Sequence, residues 1–131
     1  MARRKKKDIL PYECIMYLST YGDLFHADIR EKRQERYIRE YAKAHGIKIV
    51  GVMHKDALGM NDVDAHFIKI AHLINKKKVD GVIVADMSCV SRDIVDAYSK
   101  VGLIHSVGGV IITVDEGKLR LELKEKSDER I

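Results

Sequence analysis

Tryptophan is absent, proline occurs once at Pro11, and aromatic residues make up only 6% of the 131 residues. So few rings, with no interleaving of aromatic and basic side chains, argue against a single-strand surface on which successive bases stack. Cys14 and Cys89 are the only cysteines. Both lie in apolar contexts without C-x-x-C spacing, which points to buried reduced thiols and not to a disulfide or a zinc site. No apolar run approaches the roughly eighteen residues of a membrane-spanning helix. No signal-type apolar segment precedes Pro11 either, so a cytoplasmic protein without a membrane partner is expected. None of the nine glycines forms a phosphate-cradling loop after the first candidate strand. His26, His45, His54, His66, His72 and His105 are scattered; no pair has ligand spacing backed by a third ligand, so neither a metal nor a cofactor is expected.

Charge is present but uneven. The net formal charge is +4, yet Arg3, Arg4, Lys5, Lys6 and Lys7 alone carry more than that, which leaves the remainder slightly acidic. Such a tail can touch nucleic-acid phosphates weakly and without reading sequence, in a salt-dependent way; as a solvated, disordered terminus it is equally natural. With 46% hydrophobic residues the chain can bury one core of ordinary size. The expected layout is a basic flexible tail over 1–11, one domain over 12–123 and a charged tail over 124–131.

Hydrophobic periodicity alternates between strand and helix. Cys14-Ile15-Met16-Tyr17-Leu18 reads as a buried strand closing into Ser19-Thr20-Tyr21-Gly22-Asp23. Residues 28–45 then show helical spacing, with Ile29, Arg33, Tyr37, Ile38, Tyr41, Ala42 and His45 on one face and Gly46 as the stop. On this pattern Tyr37 and Tyr41 are core residues, the charged face is solvated, and His45 is a cation at the helix C-terminus. A strand follows over 47–53, then a helix from near Asn61 with an apolar stripe of Val63, Phe67, Ile70, Ala71 and Ile74. The apolar run 79–85 predicts a strand buried on both faces. Ser91 or a neighbour caps a third helix with Ile94, Val95, Tyr98 and Val101 inward. A strand over 110–114, a turn over 115–118, and the alternating Leu119, Leu121 and Leu123 close the pattern. Alternation of this kind predicts a three-layer α/β domain whose central sheet, of about five strands, is largely parallel with right-handed crossovers.

Where the third strand meets the third helix, Ser91 and Arg92 place a fixed cation at a strand-to-helix junction, the usual location of ligand sites in open parallel sheets. Arg92 at a helix start opposes the helix dipole, so it reads either as an anion contact or as an ion pair with Asp93 or Asp96.

The order of Leu18-Ser19-Thr20, then Gln34, Tyr41, Ala42 and Gly46, Lys55-Asp56, Phe67, Lys78-Val79-Asp80-Gly81-Val82-Ile83-Val84, Val90-Ser91-Arg92-Asp93 and Gly109-Val110-Ile111-Ile112 resembles the N-terminal catalytic domain of the serine recombinases, the resolvase and invertase family. The resemblance spans about 14–117. It implies a serine at the end of the first strand, here Ser19, that attacks a DNA phosphodiester without metal or cofactor. It implies Arg92 as a phosphate contact and Gln34 and Asp56 as supporting residues. It also exposes departures. Tyr17 and Asp64 stand where the family places arginines, and the D-R-L-x-R motif becomes Ser88-Cys89-Val90-Ser91-Arg92. Asp64 is as natural as an acid at a helix N-terminus. The family's long C-terminal helix and DNA-binding domain have no counterpart before Ile131.

A phosphoryl-transfer transition state spreads negative charge over its equatorial oxygens and depends on fixed cations. The expectation is therefore a degenerate, truncated resolvase-like protein of DNA recombination or mobile elements, without strand cleavage, with DNA as a weak, non-specific partner. The alternative is a non-catalytic interaction or regulatory protein that self-associates, or binds an intact recombinase, or binds nucleic acid weakly through its basic tail. A third reading gives the pocket of Ser19, Ser88, Cys89 and Arg92 a small phosphorylated ligand.

Overall fold

A computed structural model describes residues 12–20, 24–55 and 63–119. The basic residues 3–7, Asp56, Asn61, Leu121, Leu123 and the charged C-terminal stretch lie outside the described residues, so the expectations placed on them are not addressed. Strand β1 (Glu13–Leu18) leads to helix α1 (Leu24–Ala44), β2 (Lys48–His54), α2 (Val63–Asn75) and β3 (Gly81–Val84). A single 3₁₀ turn (Met87–Cys89), α3 (Ile94–Ser106), β4 (Val110–Thr113) and β5 (Gly117–Leu119) complete the order.

The sheet order is β2-β1-β3-β4-β5. The first four strands are parallel, and β5 is a short antiparallel edge on β4. Successive strand residues point to opposite faces, and this fixes the layers. Tyr17 packs its ring edge-on against Phe67 of α2 at 5.3 Å. Its neighbour Leu18 pairs in register with His54, whose ring contacts Glu31 of α1 at 3.0 Å. So α1 covers one face, α2 covers the other, and α3 packs beside α2, as right-handed crossovers require.

The central strands are buried throughout, with Tyr17, Met16, Leu18, Ile83 and Ile111 among the largest enclosed side chains. The predicted α2 stripe is present: Phe67, Ile70, Ala71 and Ile74 are buried, with Val63 packed against the core. α1 ends at Gly46, whose φ of 70° lies in the left-handed region glycine tolerates. The chain there closes back through Ile47 N–H to the Ala42 carbonyl at 2.8 Å.

Two helical faces differ from the sequence pattern. On α3 the buried residues are Ala97, Lys100, Val101 and Ile104, whereas Ile94, Val95 and Tyr98 are 68%, 72% and 49% exposed. Asp93, not Ser91, is the N-cap: its carboxylate accepts from Val95 N–H at 3.1 Å. On α1 the core contacts come from Ile38 and Ala42, while Ile29 and Tyr37 are exposed. Tyr37 sits at the margin of the buried arc, and its hydroxyl donates to Asp115 Oδ1 at 2.6 Å. Tyr41 is half-buried and stacks on His45 with ring centroids 4.0 Å apart.

Candidate active site

The carboxyl ends of the parallel strands bring Ser19, Lys55 and the turn 86–90 to one edge of the sheet. Ser19 follows β1 directly and is only 2% exposed. Its backbone is held from two sides. The Ser19 N–H donates to Gln34 Oε1 at 2.8 Å, and Gln34 Nε2 donates back to the Ser19 carbonyl at 2.9 Å. The Cys89 thiol donates to the same carbonyl at 3.6 Å. Gln34 thus plays the part of a missing strand neighbour, satisfying both peptide groups where the sheet has ended. The Ser19 hydroxyl, by contrast, is enclosed and has no hydrogen-bond partner among the described residues.

The side chains bonded to the backbone of this serine are neutral. Burial pushes the Cys89 thiol above its ordinary value, with smaller opposing contributions from backbone N–H groups of the turn; it therefore remains a thiol at neutral pH. Tyr17, two residues before Ser19, is fully buried and hydrogen-bonded to His66 Nδ1 at 2.8 Å.

Asp64, in the first turn of α2, faces a cation of this chain. Its Oδ1 lies 2.5 Å from Lys100 Nζ, and Asp96 Oδ2 lies at the same distance on the other side. The Lys100 side chain is 6% exposed. Burial pulls its pKa down, but the two carboxylates more than offset this and hold it above its ordinary value. Asp96 is held below the usual carboxylate range by its bonds to Lys100 and to the Ser91 hydroxyl. The ammonium is thus committed to structure, joining α2 to α3.

Arg92 is exposed and lines a cavity of about 650 Å³ together with Met87, Ser88, Ser91, Tyr98 and Glu116. Asp86 shapes one wall by accepting from Ser88 N–H at 2.9 Å and from the Ser88 hydroxyl at 2.5 Å. Neither Ser19 nor Cys89 lines that cavity. The structure brings Gln34 and Cys89 to the Ser19 backbone, and Ser88 and Ser91 to the cavity that Arg92 lines. Sequence reasoning missed the Lys100 clasp, because the lysine sits on an apolar helical face and one of its partners comes from another helix. Gln34, expected as a supporting residue, reaches the strand end and bonds both peptide groups of Ser19.

A three-layer α/β domain with a serine at the end of its first parallel strand defines the catalytic-domain class of the serine recombinases. The family described as "Resolvase, N terminal domain" matches residues 19–130, and the chain belongs to it. Among solved structures, the chain is similar to the C-terminal catalytic domain of ISC1926 TnpA, an IS607-like serine recombinase. The two share 21% identity over 90% of this chain and 78% of that one, with a TM-score of 0.64. A resolvase family site-specific recombinase from Streptococcus pneumoniae matches at 18% identity over 91% of this chain and 85% of that one, with a TM-score of 0.69. The N-terminal catalytic domain of TP901-1 integrase matches at 16% identity over 80% and 78%, with a TM-score of 0.60. At these identities the likeness establishes the fold alone. No curated protein matches the chain.

Proposed function

We propose that this chain is a resolvase-type domain of DNA recombination or mobile-element systems that retains the family's serine but does not cleave DNA strands. One observation carries the reading: the Ser19 hydroxyl is enclosed and the side chains bonded to its residue are a neutral amide and a neutral thiol. In-line attack on a phosphodiester needs an accessible nucleophile and cations aimed at the developing charge, and loss of a single such donor costs roughly 10²- to 10³-fold in rate. The positions where the resemblance places arginines support the same reading. Tyr17 is spent on a buried bond to His66, Asp64 on Lys100, and Cys89 on the Ser19 carbonyl. Arg92 lines a cavity that Ser19 does not line.

Domain layout follows the same proposal: residues 12–123 are the resolvase-like unit, between the basic segment 1–11 and the charged segment 124–131. Among the described residues no helix is long and apolar enough to cross a membrane. Incubating the protein with supercoiled plasmid, quenching in denaturant and separating topoisomers tests the reading. Plasmid that stays supercoiled, equally with wild type and Ser19→Ala, is the expected result. Nicked or linear product that disappears in Ser19→Ala contradicts it.

A further inference from the structure

Among the described elements α1 is the one helix on its face of the sheet, because α2 and α3 occupy the other, and its outer surface has no partner among them. That surface has a regular composition. Lys32, Arg36, Arg39 and Lys43 follow one another at spacings of four, three and four residues, and all four are exposed. At 3.6 residues per turn these positions fall within about 60° of arc and run about 16 Å along the helix. Arg39 shares its guanidinium with Glu35 at 2.9 Å. Lys32, Arg36 and Lys43 have no ion pair among the described residues. Arg33 adds a further exposed cation beside the ridge, and Asp28 and Glu40 flank it.

We propose that this ridge of α1 is a docking surface for the phosphate backbone of duplex DNA. Duplex DNA carries about one negative charge per 1.7 Å of axis, so a 16 Å row of cations meets several phosphates at once, and the counterions they release drive binding. The helix does not suit a membrane surface, which requires an exposed apolar face; the apolar face of α1, with Ile38 and Ala42, is buried in the core. Gln34, which holds Ser19, projects from roughly the opposite side of the same helix. A duplex on the ridge is therefore one helix thickness away from the serine and turned from it, which makes this a holding surface and not a cleavage site. The inference rests on the recombinase-family reading for its choice of DNA, but not on whether Ser19 reacts.

Fluorescence anisotropy with a 20-base-pair duplex of arbitrary sequence, read across a salt series, tests it in the full chain. Combining Lys32→Gln, Arg36→Gln and Lys43→Gln should weaken binding about tenfold or more at low salt and flatten the log–log salt slope by about 2.7, at ~0.9 per phosphate contact. A comparison set of exposed lysines near α2, Lys69→Gln, Lys76→Gln and Lys78→Gln, should bind as wild type. The ridge effect should persist when Arg3, Arg4, Lys5, Lys6 and Lys7 are all replaced by Gln. Absence of binding by the wild type, equal binding by the ridge variant, an equal loss in the α2 set, or disappearance of the ridge effect once the tail is neutral each overturns the proposal. So does a ridge variant that loses affinity only for phosphatidylserine vesicles. Plasmid cleavage dependent on Ser19 would refute the non-cleaving reading and leave this surface standing.

Discussion

Gly81 opens β3 with no room for a side chain: a Cβ there would lie 2.0 Å from the carbonyl oxygen of Val110 on β4. The obstacle is backbone in a paired strand, so it cannot swing aside. We expect Gly81→Ala to destabilise the fold by about 3 kcal/mol, the upper end of ordinary overpacking, measurable as a lower urea midpoint. Cys14 gives a second test at the same scale. Burial, helped by the charge of Asp80, pushes its thiol from 9.0 up to about 12. The folded state then holds a proton that the unfolded chain releases, so stability falls as pH rises from about 9 toward 12, with a limiting slope of ~1.4 kcal/mol per pH unit. Cys14→Ala should lose stability from its cavity at every pH but show a shallower decline between pH 8.5 and 10.5. Parallel curves for the two proteins would contradict the assignment.

Among the elements, α2 and α3 are joined by the clasp of Asp64 and Asp96 on Lys100. A nearly enclosed ammonium that loses its partners is costly, whereas its replacement by an apolar side chain of similar length is often neutral. Asp64→Asn combined with Asp96→Asn should therefore destabilise more than Lys100→Met does. Chemical denaturation of both variants at pH 7 would show the order. Because Asp96 is held below its ordinary value, its part of the clasp is present above the usual carboxylate pKa and is lost as pH falls through the folded value. Because Lys100 is held above its ordinary value, its part is present at neutral pH and is lost as pH rises through the folded value. This clasp also accounts for the difference between the apolar pattern of α3 and its buried face. Ile94, Val95 and Tyr98 are the more apolar residues, but the Asp93 cap sets the helix so that Ala97, Lys100, Val101 and Ile104 face the core. Hydrophobicity alone cannot anticipate a lysine whose partners make burial tolerable. α2 was legible because its stripe of Phe67, Ile70, Ala71 and Ile74 needs no such partner.

At the level of the whole molecule, the parallel sheet and its crossovers could be read from residues 14–18, 47–53, 79–85 and 110–114, because strands buried on both faces carry almost nothing but apolar side chains. The candidate site was legible only as a set of positions. Ser19, Gln34, Cys89 and Arg92 could be named from their order, but which of them meet depends on contacts spanning 15 and 70 residues of chain, beyond any local spacing. The structure groups Ser19 with Gln34 and Cys89 and sets Arg92 in a cavity that Ser19 does not line. On the proposed reading, the enclosed Ser19 hydroxyl leaves the DNA unbroken. The most direct test is to incubate the 131-residue chain with supercoiled plasmid, stop the reaction in denaturant, digest the DNA and the protein, and weigh the peptide that contains Ser19. The account predicts only the unmodified mass; a nucleotide-linked phosphoserine at Ser19, absent from Ser19→Ala, would contradict it.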